Sequence, residues 1–261
     1  MSEQMKTVEA AARIFGLEPR RGFRSVARLR AFARERRTYI NMHKNSGGEF
    51  PLGRLYPCLD DIYDNAGTAK GHYFHQDLHV ARKIFQRSPV RHVDVGSRVD
   101  GFVAHVASFR DIEVFDIREL DSLPGITFSK WDAMYDTLPT DYADSVSCLH
   151  ALEHFGLGRY GDTMDYYGHL KGLANLAQVV QPGGVLYLSV PIGPQRTEFN
   201  AHRVLAPRYV LDRAADHSLK PIGFSFVDDN GDLHADVGID EANLANHYGC
   251  TYGCGIFEFQ K

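Results

Sequence analysis

Residues 91–103 read Arg-His-Val-Asp-Val-Gly-Ser-Arg-Val-Asp-Gly-Phe-Val. The run His92–Val95 predicts a short strand, and Gly96 allows the chain to turn tightly and approach a ligand where a Cβ would collide. Downstream, short β-rich runs at 112–117 (IEVFDI), 126–132 (ITFSKWD), 144–150 (DSVSCLH) and 184–190 (GVLYLSV) alternate with helical stretches. Such alternation predicts a parallel sheet with helices on both faces. The end of the chain differs. GFSFVDD (223–229) runs into Asn230-Gly231, a hairpin signal, and GIFEFQK (255–261) alternates as a terminal strand should, so the sheet closes antiparallel.

Upstream, a helical pattern from about His75 to Gln86 follows a Gly/Pro-rich loop, NSGGEFPLGRLYPCLDD (45–61). Residues 1–40 hold ten Lys/Arg against four Asp/Glu, the remainder nineteen against twenty-nine. An arginine-rich arm thus precedes an acidic body. Phe23, Val26, Leu29 and Phe32 recur at three-residue spacing, which predicts a helix with a buried stripe and a solvated arginine face. The expected division is a basic helical extension or cap over 1–70 and a main domain over 71–261.

At 261 residues, 44% apolar and 24% charged, the chain has the make-up of one large α/β domain and excludes disordered and collagen-like readings. The four cysteines show no CxxC pair or zinc spacing, which suits a reducing cytoplasm. No stretch reaches a membrane-span length of apolar residues, and the start MSEQMKTVEA lacks a signal-peptide core.

The loop after the first strand lacks GxGxxG, because Arg98 stands at the second glycine, and there is no P-loop GK[ST]. Strand, Asp94, x, Gly96 resembles the first motif of class I S-adenosylmethionine (SAM) methyltransferases. That pattern continues with further glycines; here Arg98 and Asp100 take their places, with Gly101 one residue later. Asp116 ends the second strand twenty residues after Gly96, where an acceptor-only carboxylate can take both ribose hydroxyl protons. Asp132 ends the third run where the methyltransferase fold places an adenine-contacting acid, with Trp131 as a flat wall. The expected cofactor residues are Asp94, Gly96, Ser97, Asp116, Ile117, Asp132 and His150.

The fourth strand empties into His150-Ala-Leu-Glu153-His154, formally the inverted zincin pattern. Gly156 and Gly158 follow too soon to assure a helix that would bring both imidazoles to one metal, and no third ligand helix is evident, so no metal is assigned. An acid–histidine pair here resembles small-molecule and quinone O-methyltransferases, where the pair lines the acceptor pocket and in some members holds a divalent ion. His154 is the expected general base, with Glu153 orienting it and His202 as rival. Tyr73, His75, Arg159, Tyr160, Asp162, Asn200 and Arg203 are the expected acceptor contacts, with Tyr73, Phe74, His75 and Asp77 capping the site.

The segments GHYFHQDLHVARKIF, HVDVGSRVDGFV, FDIREL, SCLHALEHFGLGRYGD, QPGGVLYLSVPIG, FNAHRV and GIFEFQK resemble, in that order, a little-characterised bacterial family of methyltransferase-like proteins found among polysaccharide-biosynthesis genes. The resemblance covers about residues 50–261. It implies a Rossmann-like class I fold of seven mostly parallel strands with an N-terminal helical extension, SAM as cofactor, and O-methylation of a sugar, sugar nucleotide or other small hydroxylated intermediate in the cytoplasm. The expected partner is a small-molecule or glycan acceptor, not nucleic acid, and a homodimer is a candidate state. A non-catalytic SAM-binding scaffold is the alternative.

Overall fold

The structure is a computed structural model, and residues 19–47, 49–64 and 66–261 are described. It divides into two compact units, Met1–Thr68 and Ala69–Lys261. Among the described residues the first carries a long helix, α1 (Pro19–Asn45), on which Arg28 grips Glu35 through two hydrogen bonds of 2.9 and 3.1 Å. Val26 and Leu29 are exposed, so the expected buried stripe fails at both positions; the side chain of Phe23 lies outside the described residues.

The second unit begins with α2 (His72–Arg87) and β1 (His92–Val95). A π turn (Val99–Val103) leads into α3 (Ala104–Ala107), followed by β2 (Ile112–Asp116), β3 (Ile126–Lys130) and β4 (Ala143–Leu149). Next come α4 (Gly168–Val179), β5 (Val180–Ile192), and the two-stranded ribbon β6 (Arg196–Glu198) and β7 (His202–Val204). The chain ends with α5 (Pro207–Ala215), β8 (Lys220–Val227), β9 (Leu233–His234), α6 (Glu241–Ala245) and β10 (Gly253–Gln260). The main sheet runs β3-β2-β1-β4-β5-β10-β8-β9. β1 to β5 pair in parallel, and β10 lies antiparallel between β5 and β8. The sheet has eight strands rather than the expected seven, because the Asn230-Gly231 turn folds two further residues, β9, back on β8.

Period-two alternation divides the core. Leu186, Leu188 and Val190 of β5 face one side with Leu173 and Leu176 of α4; Val185 and Tyr187 face the other with Val80 and Ile84 of α2. All four residues of β1 are buried, as a central strand covered on both faces requires. The departure from the glycine pattern coincides with the π turn, whose ring is wider than an α-helical one. Gly101 is needed there because a Cβ would stand 2.5 Å from Asp77 Oδ2, so the glycine lets α2 pack against the turn. No helix among the described residues is long and apolar enough to cross a membrane.

Candidate active site

Strand order reverses between β1 and β4, and the crevice outside the carboxyl ends of such strands is where open α/β sheets bind ligands. A cavity lies there, walled by Gly96 after β1, Asp116 to Arg118 after β2, Trp131 to Met134 after β3, and His150, Ala151 and His154 after β4. Tyr73 of α2, Tyr160 and Asp162 complete it. Its empty space is ≈ 790 Å³, the mouth open to solvent included.

Gly96 sits at φ +72°, and its N–H donates to the Phe115 carbonyl at 2.9 Å. A Cβ there would lie 3.0 Å from the Ala151 Cβ, so the glycine lets the loops after β1 and β4 meet at the cavity floor. Asp116 is largely buried at the tip of β2. Its carboxylate accepts Arg118 N–H at 2.8 Å and the Arg118 guanidinium at 2.9 and 2.6 Å. That guanidinium is half exposed while the carboxylate is largely buried, so it is the arginine that would move to free Asp116 for another partner.

Asp94 and Ser97 do not line this cavity. Asp94 is fully buried; Oδ1 accepts Ser147 Oγ–H at 2.5 Å and Ser97 Oγ–H at 2.6 Å, and Oδ2 accepts Ser97 N–H at 3.1 Å. Ser97 Oγ in turn accepts Leu149 N–H at 3.0 Å. The two side chains stitch β1, its loop and β4 together, and the cofactor contact expected of them is corrected to this structural role. Burial, partly offset by the serine hydrogen bonds, pushes the Asp94 carboxyl up to about 6.

The segment after β4 forms a single 3-10 turn, Leu152–His154, in place of a loop, with His150 at φ +51° before it. Glu153, 1% exposed, accepts from His150 Nδ1 at 2.7 Å and stands 3.7 Å from His154 Nε2. Burial alone would raise the Glu153 pKa, but the His150 charge and hydrogen bond lead the groups that outweigh it and hold it below its ordinary value. Burial likewise opposes a charge on His150, yet the Cys254 sulfur and Glu153 outweigh it and keep that imidazole well above its usual range. His154 Nδ1 donates to the Ala201 carbonyl at 2.7 Å, which leaves Nε2 as the nitrogen able to take a proton. Burial pulls its pKa down, so the ring rests neutral.

Of the expected residues, the cavity brings together Gly96, Asp116, Ile117, Asp132, His150, His154, Tyr73, Tyr160 and Asp162. Asp132 also accepts Met134 N–H at 2.8 Å, and Asp162 staples its loop by accepting Gly156, Gly158 and Tyr160 N–H groups at 2.8, 3.1 and 3.2 Å. Glu153, His75, Arg159, Asn200, His202 and Arg203 are not part of its lining. Asn200 is exposed, His75 is partly buried, and Arg159 donates to the Ala201 carbonyl at 2.9 Å. His202 Nε2 lies 3.3 Å from Glu198 Oε2 on the small ribbon. Arg203, 6% exposed, is spent on the backbone carbonyls of Glu153 (3.3 Å), Phe155 (2.7 Å) and Tyr166 (3.2 Å), so in place of the expected substrate grip it pins the loop after β4. Asp77 is buried against Gln76 rather than facing the cavity.

Sequence reasoning missed the two arginines at the rim. Arg98 lies 5.0 Å over the Tyr73 ring and Arg118 4.8 Å over Tyr160, pairings between residues distant in sequence that no local pattern announces.

Comparisons with known proteins bear on this geometry. A protein-family model described as "Caenorhabditis protein of unknown function, DUF268" matches residues 104–211, a span holding both LEHFGLGRYGD and FNAHR. No curated protein matches. Among solved structures, the 1,6-didemethyltoxoflavin-N1-methyltransferase of Burkholderia thailandensis, crystallised with S-adenosylhomocysteine, aligns over 89% of each chain at 12% identity and a TM-score of 0.51. The fold is the Rossmann-like methyltransferase fold. The [4+2]-cyclase SpnF aligns over 75% of this chain and 85% of its own at 12% identity and a TM-score of 0.52, so the shared fold does not by itself name the reaction.

Proposed function

We propose that the Ala69–Lys261 unit is a SAM-dependent methyltransferase that methylates a hydroxyl of a small biosynthetic intermediate. The observation that carries this reading is the juxtaposition of Gly96, Asp116, Trp131 and Asp132 around one cavity at the switch point of the sheet. The residues fit the cofactor. A bend without a Cβ makes room for its amino-acid end, the Asp116 carboxylate can take the ribose diol once Arg118 swings out, and Trp131 with Asp132 bounds the space for adenine. Bound there, SAM supplies an electrophilic methyl group.

The chain's own contribution is position and proton handling. An acceptor hydroxyl held in the cavity would lose its proton to Nε2 of neutral His154, whose other nitrogen is fixed by Ala201 and whose charged form Glu153 would stabilise from 3.7 Å. His202, the rival base, lies off the cavity. At the rim, Tyr73 and Tyr160 offer aromatic surface for a sugar ring and Arg118, once it leaves Asp116, a charge for a phosphate, while Arg98 is held by Asp100 at 3.1 and 2.8 Å; this supports a sugar nucleotide, as the sequence resemblance suggests. A cytoplasmic setting follows from the same resemblance.

Calorimetry with SAM and S-adenosylhomocysteine, run beside a turnover screen of nucleotide sugars with labelled SAM, tests the reading. Saturable binding of both ligands and labelled product are expected. Binding without product would favour the non-catalytic scaffold, and absence of binding would end the proposal.

A further inference from the structure

We propose that His72, His150 and Cys254 form a binding site for a zinc-class divalent metal ion at the inner wall of the cavity. The three residues come from the first turn of α2, the bend after β4 and strand β10, and their ligand atoms all lie within 4.8 Å of one another. Zinc bonds of about 2.0–2.3 Å in a tetrahedral sphere need ligand atoms roughly 3.3–3.8 Å apart, so closure asks for about 1 Å of side-chain adjustment. His72 is the least confined of the three, half-buried at a helix start with its ring stacked on His150 at 5.3 Å and 9°.

Three observations favour an ion over an ordinary polar cluster. His150 has a side chain only 4% exposed, and its Nε2 finds no nitrogen or oxygen partner; the group beside it is the Cys254 sulfur. Its other nitrogen, Nδ1, is held by the buried Glu153 carboxylate at 2.7 Å, the arrangement that orients a metal-binding imidazole and leaves Nε2 to ligate. Cys254 is fully buried, its thiol donating to Gln76 Oε1 at 3.5 Å, and its sulfur lies beside His150.

Two imidazoles and one thiolate match the donor types of zinc and leave a fourth position open. Of the three ligands His150 also lines the cavity, while His72 and Cys254 stand behind it. This is not the inverted zincin arrangement, since His154 belongs to no such group; the partners of His150 come from 78 residues upstream and 104 downstream. The site stands whether or not the cavity takes SAM.

Cobalt(II) titration of the full chain, after treatment with a chelator, tests this. One equivalent should bind, with intense tetrahedral d–d bands and a thiolate-to-cobalt charge-transfer band, and zinc should displace it. Cys254→Ser should abolish the charge-transfer band, and Glu153→Gln should weaken binding about 10- to 100-fold. Should Cys254→Ser not fold, His72→Asn carries the same test, with at least a tenfold loss of cobalt affinity expected. Absence of stoichiometric binding, or binding unchanged in spectrum and affinity in these variants, would overturn the proposal. Calorimetry with S-adenosylhomocysteine on the metal-free protein reads the methyltransferase proposal separately.

Discussion

Replacing Arg203 by methionine separates two jobs that the same residue type could perform. In the structure its guanidinium reaches three backbone carbonyls, those of Glu153, Phe155 and Tyr166, from a site 6% exposed. Methionine fills much of the volume but donates nothing, so three acceptors lose their partner. A hydrogen bond to a charged group contributes about 1.5–3 kcal/mol. The sum overstates the loss, because removing the cation also removes the cost of burying it. A net destabilisation of about 3–5 kcal/mol follows, which for a domain of this size lowers Tm by roughly 10 °C or more. Urea and thermal unfolding measure it, and calorimetry on the folded fraction should show weaker S-adenosylhomocysteine binding, because the pinned loop carries His154 and Tyr160. An unchanged urea midpoint with selective loss of acceptor binding would refute the pin and restore the substrate contact the sequence suggests.

Asp116→Ala should leave the fold intact and weaken S-adenosylhomocysteine binding at least tenfold, as loss of a hydrogen-bonded carboxylate entails; wild-type affinity in calorimetry would remove Asp116 from the site. His154→Ala should lower O-methyl transfer about 10²–10⁴-fold with little change in cofactor binding, and full turnover would refute its role as base. Gly156→Ala should cost more than about 4 kcal/mol or prevent folding, because its Cβ would meet the Asp165 carbonyl oxygen at 2.0 Å at a φ of +80°; a stable variant would contradict this loop geometry. Stability should also fall on acidification from pH 6.5 to 5. Burial pulls His92 down to about 3 and His169 to about 4, so both stay neutral in the fold but take protons when unfolded below pH 6.5. Asp94, pushed up to about 6, acts the other way: its folded form binds a proton first and regains stability as pH falls. Near pH 5.5 the unfolded chain holds about one proton more from these three groups, and His72, pulled down to about 4 by burial, adds nearly another, a slope of roughly 2.6 kcal/mol per pH unit. A flat urea midpoint across that range would contradict these assignments.

What the sequence determined is what short-range physics can write into a chain. Val93 and Val95, or Ile112 and Val114, are β-formers whose burial is implied by their run length, and Asn230-Gly231 supports positive φ at Gly231, so strands, hairpin and sheet class were legible. The places of Gly96 and Asp116 were legible as well, one following β1 and the other ending β2, and both line the cavity. Roles decided by long-range contact were not. Asp94 and Asp116 look alike in sequence, each an acid at or near a strand end, yet Ser147 from β4 claims one while the other faces the cavity. Arg203 reads as a free cation until the carbonyls of a loop some fifty residues away surround it. His72, His150 and Cys254 share no spacing at all and meet only because α2, β4 and β10 converge on one face. Local sequence sets the conformation of each segment, but a side chain's partners, and with them its charge state and its chemistry, are set by packing between segments that only the folded chain brings together.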